Sequence, residues 1–124
     1  MRTKEEITDL ITEIDNGIGK VTEKKDIQYF GDVKVALQWV LKKISTGEET
    51  SKVEKNMREI TKLYFDELSD DDFEASMDFM NKEFEGFFKG RDPDKVYNFS
   101  DTFEWVLGET STERFLSKHY LNLK

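Results

Sequence analysis

The 124-residue sequence contains no cysteine, one histidine and one proline, and each scarcity excludes a class of structure or site. Without cysteine the chain forms neither disulfides nor thiolate metal sites. The single histidine, His119, has no second imidazole to complete a metal or catalytic site, so we expect it to be a half-buried surface residue. The nearest approach to a basic cluster is two isolated pairs, Lys24–Lys25 and Lys42–Lys43, which argues against direct binding to nucleic acid or to anionic membranes.

Long apolar runs are also missing. No segment approaches the roughly 18 residues that span a bilayer, and the N-terminal segment MRTKEEITDL lacks the apolar centre of a signal peptide. The length corresponds to one domain, and 13% aromatic residues argue against disorder. We therefore expect a soluble, cytoplasmic protein.

No catalytic or metal-binding motif occurs in the sequence. The segment 92–104 begins like an EF-hand loop, but Tyr97 stands where the loop needs glycine and Phe103 where it needs a bidentate glutamate. Carboxylates on a surface helix lack the apolar burial that separates the pKa values of an acid and a base. We expect no enzyme activity, no metal and no cofactor.

Apolar residues recur at three- and four-residue steps, which predicts an all-α bundle of four to six helices. Thr3 and Glu6 fit a capping box that starts a first helix ending or fraying near Gly17. The second helix, Asp26 to Ile44, follows closely enough to form an N-terminal antiparallel hairpin. We expect one helical domain over 1–124, divided into the hairpin (1–45), a helix pair (48–89) and a C-terminal helical cap (95–124).

Further predictions concern single residues of the second helix and of the loop that follows it. Ile27 is predicted on the apolar seam of the second helix, whereas Trp39 lies off that seam and either packs on the second half of the chain or is exposed. Thr46 and Glu49 are a possible cap for the third helix.

The third helix is predicted to present five apolar residues on one face: Val53, Met57, Ile60, Tyr64 and Leu68. Beyond the break at Pro93, Val96–Phe99 is a short segment that could be extended. Ser100 then caps a short helix that ends at Gly108.

The segments TKEEITDLITEI and ALQWVLKKI resemble small helical-hairpin proteins of phages and other mobile elements. The resemblance covers about the first 45 residues and departs from the pattern at the inserted Gly17–Gly19 and in the remaining part of the chain. It implies a phage-type origin and carries no activity.

The net charge is concentrated in one segment. Asp66 to Glu85 contains nine carboxylates and one lysine, a local charge of minus 8, while the rest of the chain has 18 acids and 18 bases. A helical wheel over 69–89 gives an apolar arc bordered by a ridge of carboxylates, with Phe79 on a different side. The arc contains Phe73, Met77, Met80, Phe84, Phe87 and Phe88.

Two interpretations of this ridge stay open. Asp70, Asp71 and Asp72 are explained by the first turn of a helix, where the macrodipole stabilises anions. Carboxylates beyond the first turn repel one another at i, i+4 spacing, so they are either an ordinary solvated face or a binding surface.

We expect a non-enzymatic acidic module that binds a protein partner, itself basic or nucleic-acid-binding, as an anti-defence inhibitor from a phage or mobile element would. The alternative is a structural or assembly protein of phage type that forms homo-oligomers. The expected partner-binding residues are Asp71, Glu74, Asp78, Phe79, Glu83 and Glu85.

Overall fold

The computed structural model describes residues 1–17, 19, 23–61, 71, 74, 78, 82 and 93–117. In this part of the chain five continuous helices and no strand occur, and positions 71, 74, 78 and 82 are also helical, which confirms the all-α class. The helices are α1 (Lys4–Gly17), α2 (Lys24–Ser45), α3 (Thr50–Thr61), α4 (Pro93–Val106) and α5 (Thr112–Ser117). None of the helices described is both long enough and apolar enough to cross a membrane.

Helix α2 packs against α1, α3 and α4, and α4 also packs against α3 and α5. Helices α1 to α4 each bury an apolar stripe in a shared core, as amphipathic helices in a bundle do, and α5 contributes Phe115. The buried residues of α1 are Ile7, Leu10 and Ile14, and those of α3 are Val53, Met57 and Ile60. The α3 stripe agrees with the predicted one, although Tyr64 and Leu68 of the predicted third helix lie outside the described residues.

The start of α1 confirms the predicted capping box. The Glu6 backbone N–H donates to Thr3 Oγ1 at 3.2 Å, and the Thr3 backbone N–H donates to Glu6 Oε1 at 3.3 Å. These bonds satisfy two of the donors that a helix N-terminus otherwise leaves unpaired. The helix ends at Gly17, where the sequence predicts that it ends or frays.

Two predictions for α2 have different outcomes. Trp39 is 8% exposed, and its ring lies 5.6 Å from that of Phe103, so it packs on the second half of the chain. The seam position of Ile27 is wrong, because this side chain is 43% exposed. Nine residues at about 100° each place Ile27 on the opposite side of α2 from the buried Ala36.

The predicted cap at Thr46 is also wrong, because Thr46 completes α2 and does not start α3. Its backbone N–H donates to Lys42 O, and its hydroxyl donates to Lys43 O, both at 3.0 Å. The last carbonyls of a helix need donors, and the threonine next to them supplies two. Helix α3 instead begins with a bond from the Val53 N–H to Glu49 O.

Val96–Phe99 is helical, so the extended conformation and the cap at Ser100 are wrong. Proline is favoured in the first turn of a helix, where its missing N–H has no partner to lose, and α4 begins at Pro93. Ser100 therefore lies inside the helix and is buried, between Phe99 and Phe103, whose rings meet edge to face. The helix ends at Val106, and the predicted stop, Gly108, follows two residues later with a φ of 84°.

The junction of α4 and α5 is short. The Ser111 hydroxyl accepts a hydrogen bond from the Arg114 N–H at 3.1 Å and thereby caps α5. Phe115 is buried, with its ring 6.1 Å from that of Trp105 and 6.5 Å from that of Tyr29. The predicted position of His119 and the predicted apolar arc within 69–89 lie outside the described residues.

Candidate functional site

The predicted partner-binding surface is described at three of its six positions. Asp71, Glu74 and Asp78 each have helical backbone and an exposed side chain. Steps of three and four residues are those of neighbours on one helix face. Phe79, Glu83 and Glu85 lie outside the described residues.

A second acidic surface lies on α1, which carries five carboxylates and one lysine over Lys4–Gly17. Three of these carboxylates line a cavity of about 180 Å³ together with residues of α1, α4 and α5. We call this cavity the α1 cleft; its lining residues are Glu6, Asp9, Leu10, Glu13, Trp105 and Thr112. Sequence reasoning missed it.

The packing of α1 places the apolar part of the cleft. Leu10 and Trp105 are each 2% exposed, and both contribute to the core and to the lining. The Trp105 indole N–H donates to Thr112 Oγ1 at 2.9 Å, which fixes the orientation of the ring relative to α5. The cleft therefore has carboxylates on the exposed side of α1 next to two apolar residues that expose almost no surface.

Arg2 occupies the Glu6 end of this surface. Its guanidinium lies 4.5 Å from the centroid of the Trp105 ring, and its Nη1 donates to Glu6 Oε2 at 3.0 Å. Its Nε and Nη2 donate to the carbonyls of Trp105 and Thr110, each at 2.8 Å. Mainly because of Arg2, and then because of the Thr3 N–H, the pKa of Glu6 is lowered from its ordinary value.

Asp9 and Glu13 differ from Glu6 in their surroundings. Both are exposed, and within the described part of the chain neither has a hydrogen-bond donor or a cation within bonding distance. The cleft thus keeps two carboxylates available at the end away from Arg2.

A count of local charge would have found α1. The local charge over Lys4–Gly17 is minus 4. Basic residues elsewhere offset this charge, so the sum over all residues outside 66–85 is zero and does not reveal it. The contribution of Trp105 could not be found in this way, because almost 100 residues separate it from α1.

A buried polar contact joins α2 and α4. The Asn98 side-chain amide donates to Asp32 Oδ2 at 2.9 Å, and Asp32 is 5% exposed. Burial, and secondarily the nearby Asp101, raises the pKa of Tyr29 in the same region. A buried carboxylate that accepts a hydrogen bond from an amide is a normal feature of helix packing, and we assign this contact a structural role.

Over the described ranges, no group of three or more histidine, aspartate or glutamate side chains is arranged to hold a metal ion. The carboxylates of the α1 cleft are included in that statement.

No protein-family model, curated protein or solved structure matches this chain. We therefore argue function from the two acidic surfaces, one at Asp71, Glu74 and Asp78 and the other at the α1 cleft.

Proposed function

We propose that this chain is a non-enzymatic, acidic protein-binding module that occupies a basic, nucleic-acid-binding surface of a partner protein. The observation that carries the proposal is the exposure of Asp71, Glu74 and Asp78 on helical backbone. They lie in the segment that holds the chain's net charge of minus 8. The resemblance of residues 1–45 implies a phage-type origin, and an inhibitor encoded by a phage or mobile element is the form of this function that we favour.

The spacing of these carboxylates supports competition with nucleic acid. At the helical rise of about 1.5 Å per residue, seven residues correspond to about 10 Å, and Asp71, Glu74 and Asp78 supply three negative charges over that interval. One DNA strand carries a charge for about every 3.4 Å of axis. A groove lined with lysine and arginine to bind phosphates can therefore form charge-assisted bonds to such a row. In this proposal Glu83 and Glu85 extend the row, and Phe79 supplies an apolar anchor.

Charge reversal tests the proposal. Glu74→Lys/Asp78→Lys reverses two exposed charges in the row, and we expect this variant to lose the partner that the wild-type chain captures from a lysate treated with nuclease. Like charges facing each other across an interface reduce both the association rate and the affinity. Mass spectrometry of the captured proteins measures the loss, and circular dichroism checks that helicity is retained.

Glu23→Lys/Glu59→Lys is the matched control. Both residues are exposed, Glu23 precedes α2 without a capping bond from its side chain, and Glu59 lies on α3. The control has the same net charge as the test variant and should capture the partner as the wild type does. Equal capture by the wild type and by both variants would remove Asp71, Glu74 and Asp78 from the interface.

Self-association is the second candidate function. Ile27 and Tyr97 are 43% and 40% exposed, so each offers apolar surface to another copy of the chain. Single exposed apolar side chains are common on protein surfaces, and this function therefore ranks second. Light scattering at high micromolar concentration decides: an oligomer supports self-assembly, and a monomer removes it.

For the fold, we propose that residues 1–124 form one domain in which 1–45 is an antiparallel hairpin. Contacts between α1 and α2 support the hairpin, as does the ion pair between Lys34 Nζ and Asp15 Oδ1 at 2.6 Å. The total of four to six helices, the helix pair over 48–89 and the cap over 95–124 belong to the same proposal.

A further inference from the structure

We propose that Asn16 is a site of spontaneous deamidation, a modification that converts its side-chain amide to a carboxylate and consumes only water. Asn16 is exposed, and Gly17 follows it as the last residue of α1. Two observations carry the proposal: glycine leaves the backbone beside Asn16 unhindered, and the last turn of α1 is weakly stabilised. The proposal does not rest on the function proposed for Asp71, Glu74 and Asp78.

The reaction joins two neighbouring groups of the chain. The backbone nitrogen of Gly17 attacks Cγ of Asn16, a C–N bond forms, and the bond from Cγ to Nδ2 breaks. The leaving nitrogen takes the Gly17 amide proton and departs as ammonia. Water then opens the cyclic imide at either carbonyl, which gives aspartate or isoaspartate. A side chain on the attacking residue would hinder the first step, and glycine has none. Either product adds one negative charge to α1.

Helical backbone opposes this attack, so the last turn of α1 must open first. In an α-helix the Gly17 N–H donates to the carbonyl oxygen four residues earlier, and a nitrogen held in this way does not reach Asn16 Cγ. Gly17 is also buried, so opening must expose it. Helix ends fray at a small fraction of the free energy of global unfolding. The rate of deamidation therefore reports the population of this local opening.

The composition of the last turn of α1 makes its opening easy. No basic residue there complements the negative end of the helix macrodipole, and the charge of Asp15 is unfavourable at that end. Gly17 loses more backbone entropy in a helix than any other residue type would. The buried Ile14 confines opening to the residues that follow it. One contact opposes opening, since Lys34 Nζ of α2 lies 2.6 Å from Asp15 Oδ1.

Two other asparagines of the described chain lack these features and serve as internal controls. Asn56 lies in the interior of α3 and precedes the buried Met57. Asn98 lies in the interior of α4, precedes the buried Phe99, and has its amide hydrogen-bonded to α2. Neither is followed by glycine, and neither lies at a helix end. Deamidation in the folded chain should therefore occur at Asn16 and spare these two.

Incubation of the full chain at neutral pH and physiological temperature, followed by peptide mapping with mass spectrometry, tests the proposal. We expect aspartate and isoaspartate at Asn16 and intact amides at Asn56 and Asn98. Gly17→Ala should slow conversion about fivefold or more, because alanine both hinders the attack and stabilises the turn. Conversion at Asn16 that is undetectable when the urea-unfolded chain has reacted completely would overturn the proposal. Aspartate without isoaspartate would also overturn it, because the cyclic imide gives both.

A second pair of variants tests the opening of the last turn. Lys34→Ala removes the ion pair with Asp15 and should accelerate conversion about twofold, as the loss of an exposed ion pair implies. Lys55→Ala removes an exposed lysine of α3 and should leave the rate unchanged. Equal rates in the two variants would overturn the link to the last turn of α1. If circular dichroism shows that Lys34→Ala has lost helicity, Lys34→Gln is compared with Lys55→Gln by the same criterion.

Discussion

At the scale of single residues, Arg2 joins parts of the chain that are far apart in sequence. Its backbone N–H donates to Val106 O at 2.7 Å, and its side chain donates to the carbonyls of Trp105 and Thr110. Two of these carbonyls belong to the last turn of α4, where the helix supplies no donors of its own. Arg2 therefore acts as a C-terminal cap for a helix about 100 residues away.

Arg2→Ala should lower the free energy of unfolding by about 1 to 3 kcal/mol, because hydrogen bonds from a charged donor to partly buried carbonyls are lost together. Arg58→Ala is the matched comparison. It removes an arginine whose 2.8 Å bond to Glu109 joins two half-exposed side chains, and it should cost less than about 1 kcal/mol. Urea denaturation of the two variants measures the difference, and equal losses would show that Arg2 is an ordinary surface residue.

Single residues also show what the sequence could predict. The bonds between Thr3 and Glu6 connect residues three positions apart, so the sequence contains both partners and their spacing. Thr46 could cap either the end of α2 or the start of α3, and residue spacing alone does not decide between the two roles. Ile27 was misplaced because the buried face of α2 is set by three neighbouring helices, which no single stripe reveals.

At the scale of elements, two glycines of the helices have opposite roles. Gly31 lies inside α2 and is exposed, while Gly108 ends α4 with a φ of 84°. A Cβ atom at either position would meet nothing within 4 Å. Backbone conformation alone therefore decides the effect of substitution.

Gly31→Ala should raise the free energy of unfolding by about 0.5 to 1 kcal/mol, because alanine loses less backbone entropy than glycine in a helix. Gly108→Ala should lower it by about 1 kcal/mol or more, because the left-handed conformation is unfavourable for residues with a Cβ atom. Thermal denaturation of both variants gives the signs directly. Changes of the same sign would contradict this account of the two positions.

Helix α4 shows why an element could be predicted in part. The proline at its start and the glycine after its end are local features, and both limits agree with the break at Pro93 and the stop at Gly108. The prediction that its first turns could be extended is wrong because the segment VYNF combines β-branched and aromatic residues, which also favour strands. Packing of Phe99 and Phe103 in the core decides for the helix, and that packing is a tertiary effect.

At the scale of the whole molecule, two regions carry a local excess of negative charge: the 66–85 segment and α1. The first could be predicted from the sequence, since nine carboxylates stand close together in it. The α1 cleft could be predicted only as a row of charges, because its floor depends on Trp105 of α4 and its edge on Thr112 of α5. Contacts between distant segments are the part of the site that composition and spacing do not contain.

The central claim is that the chain binds its partner where that partner binds nucleic acid, and a competition measurement tests it most directly. The partner captured by the immobilised chain is exposed to increasing concentrations of duplex DNA or RNA at constant ionic strength. The account predicts that nucleic acid releases the partner and that Glu74→Lys/Asp78→Lys captures none to release. Retention of the partner at saturating nucleic acid, or capture of nothing but further copies of the chain itself, would contradict it.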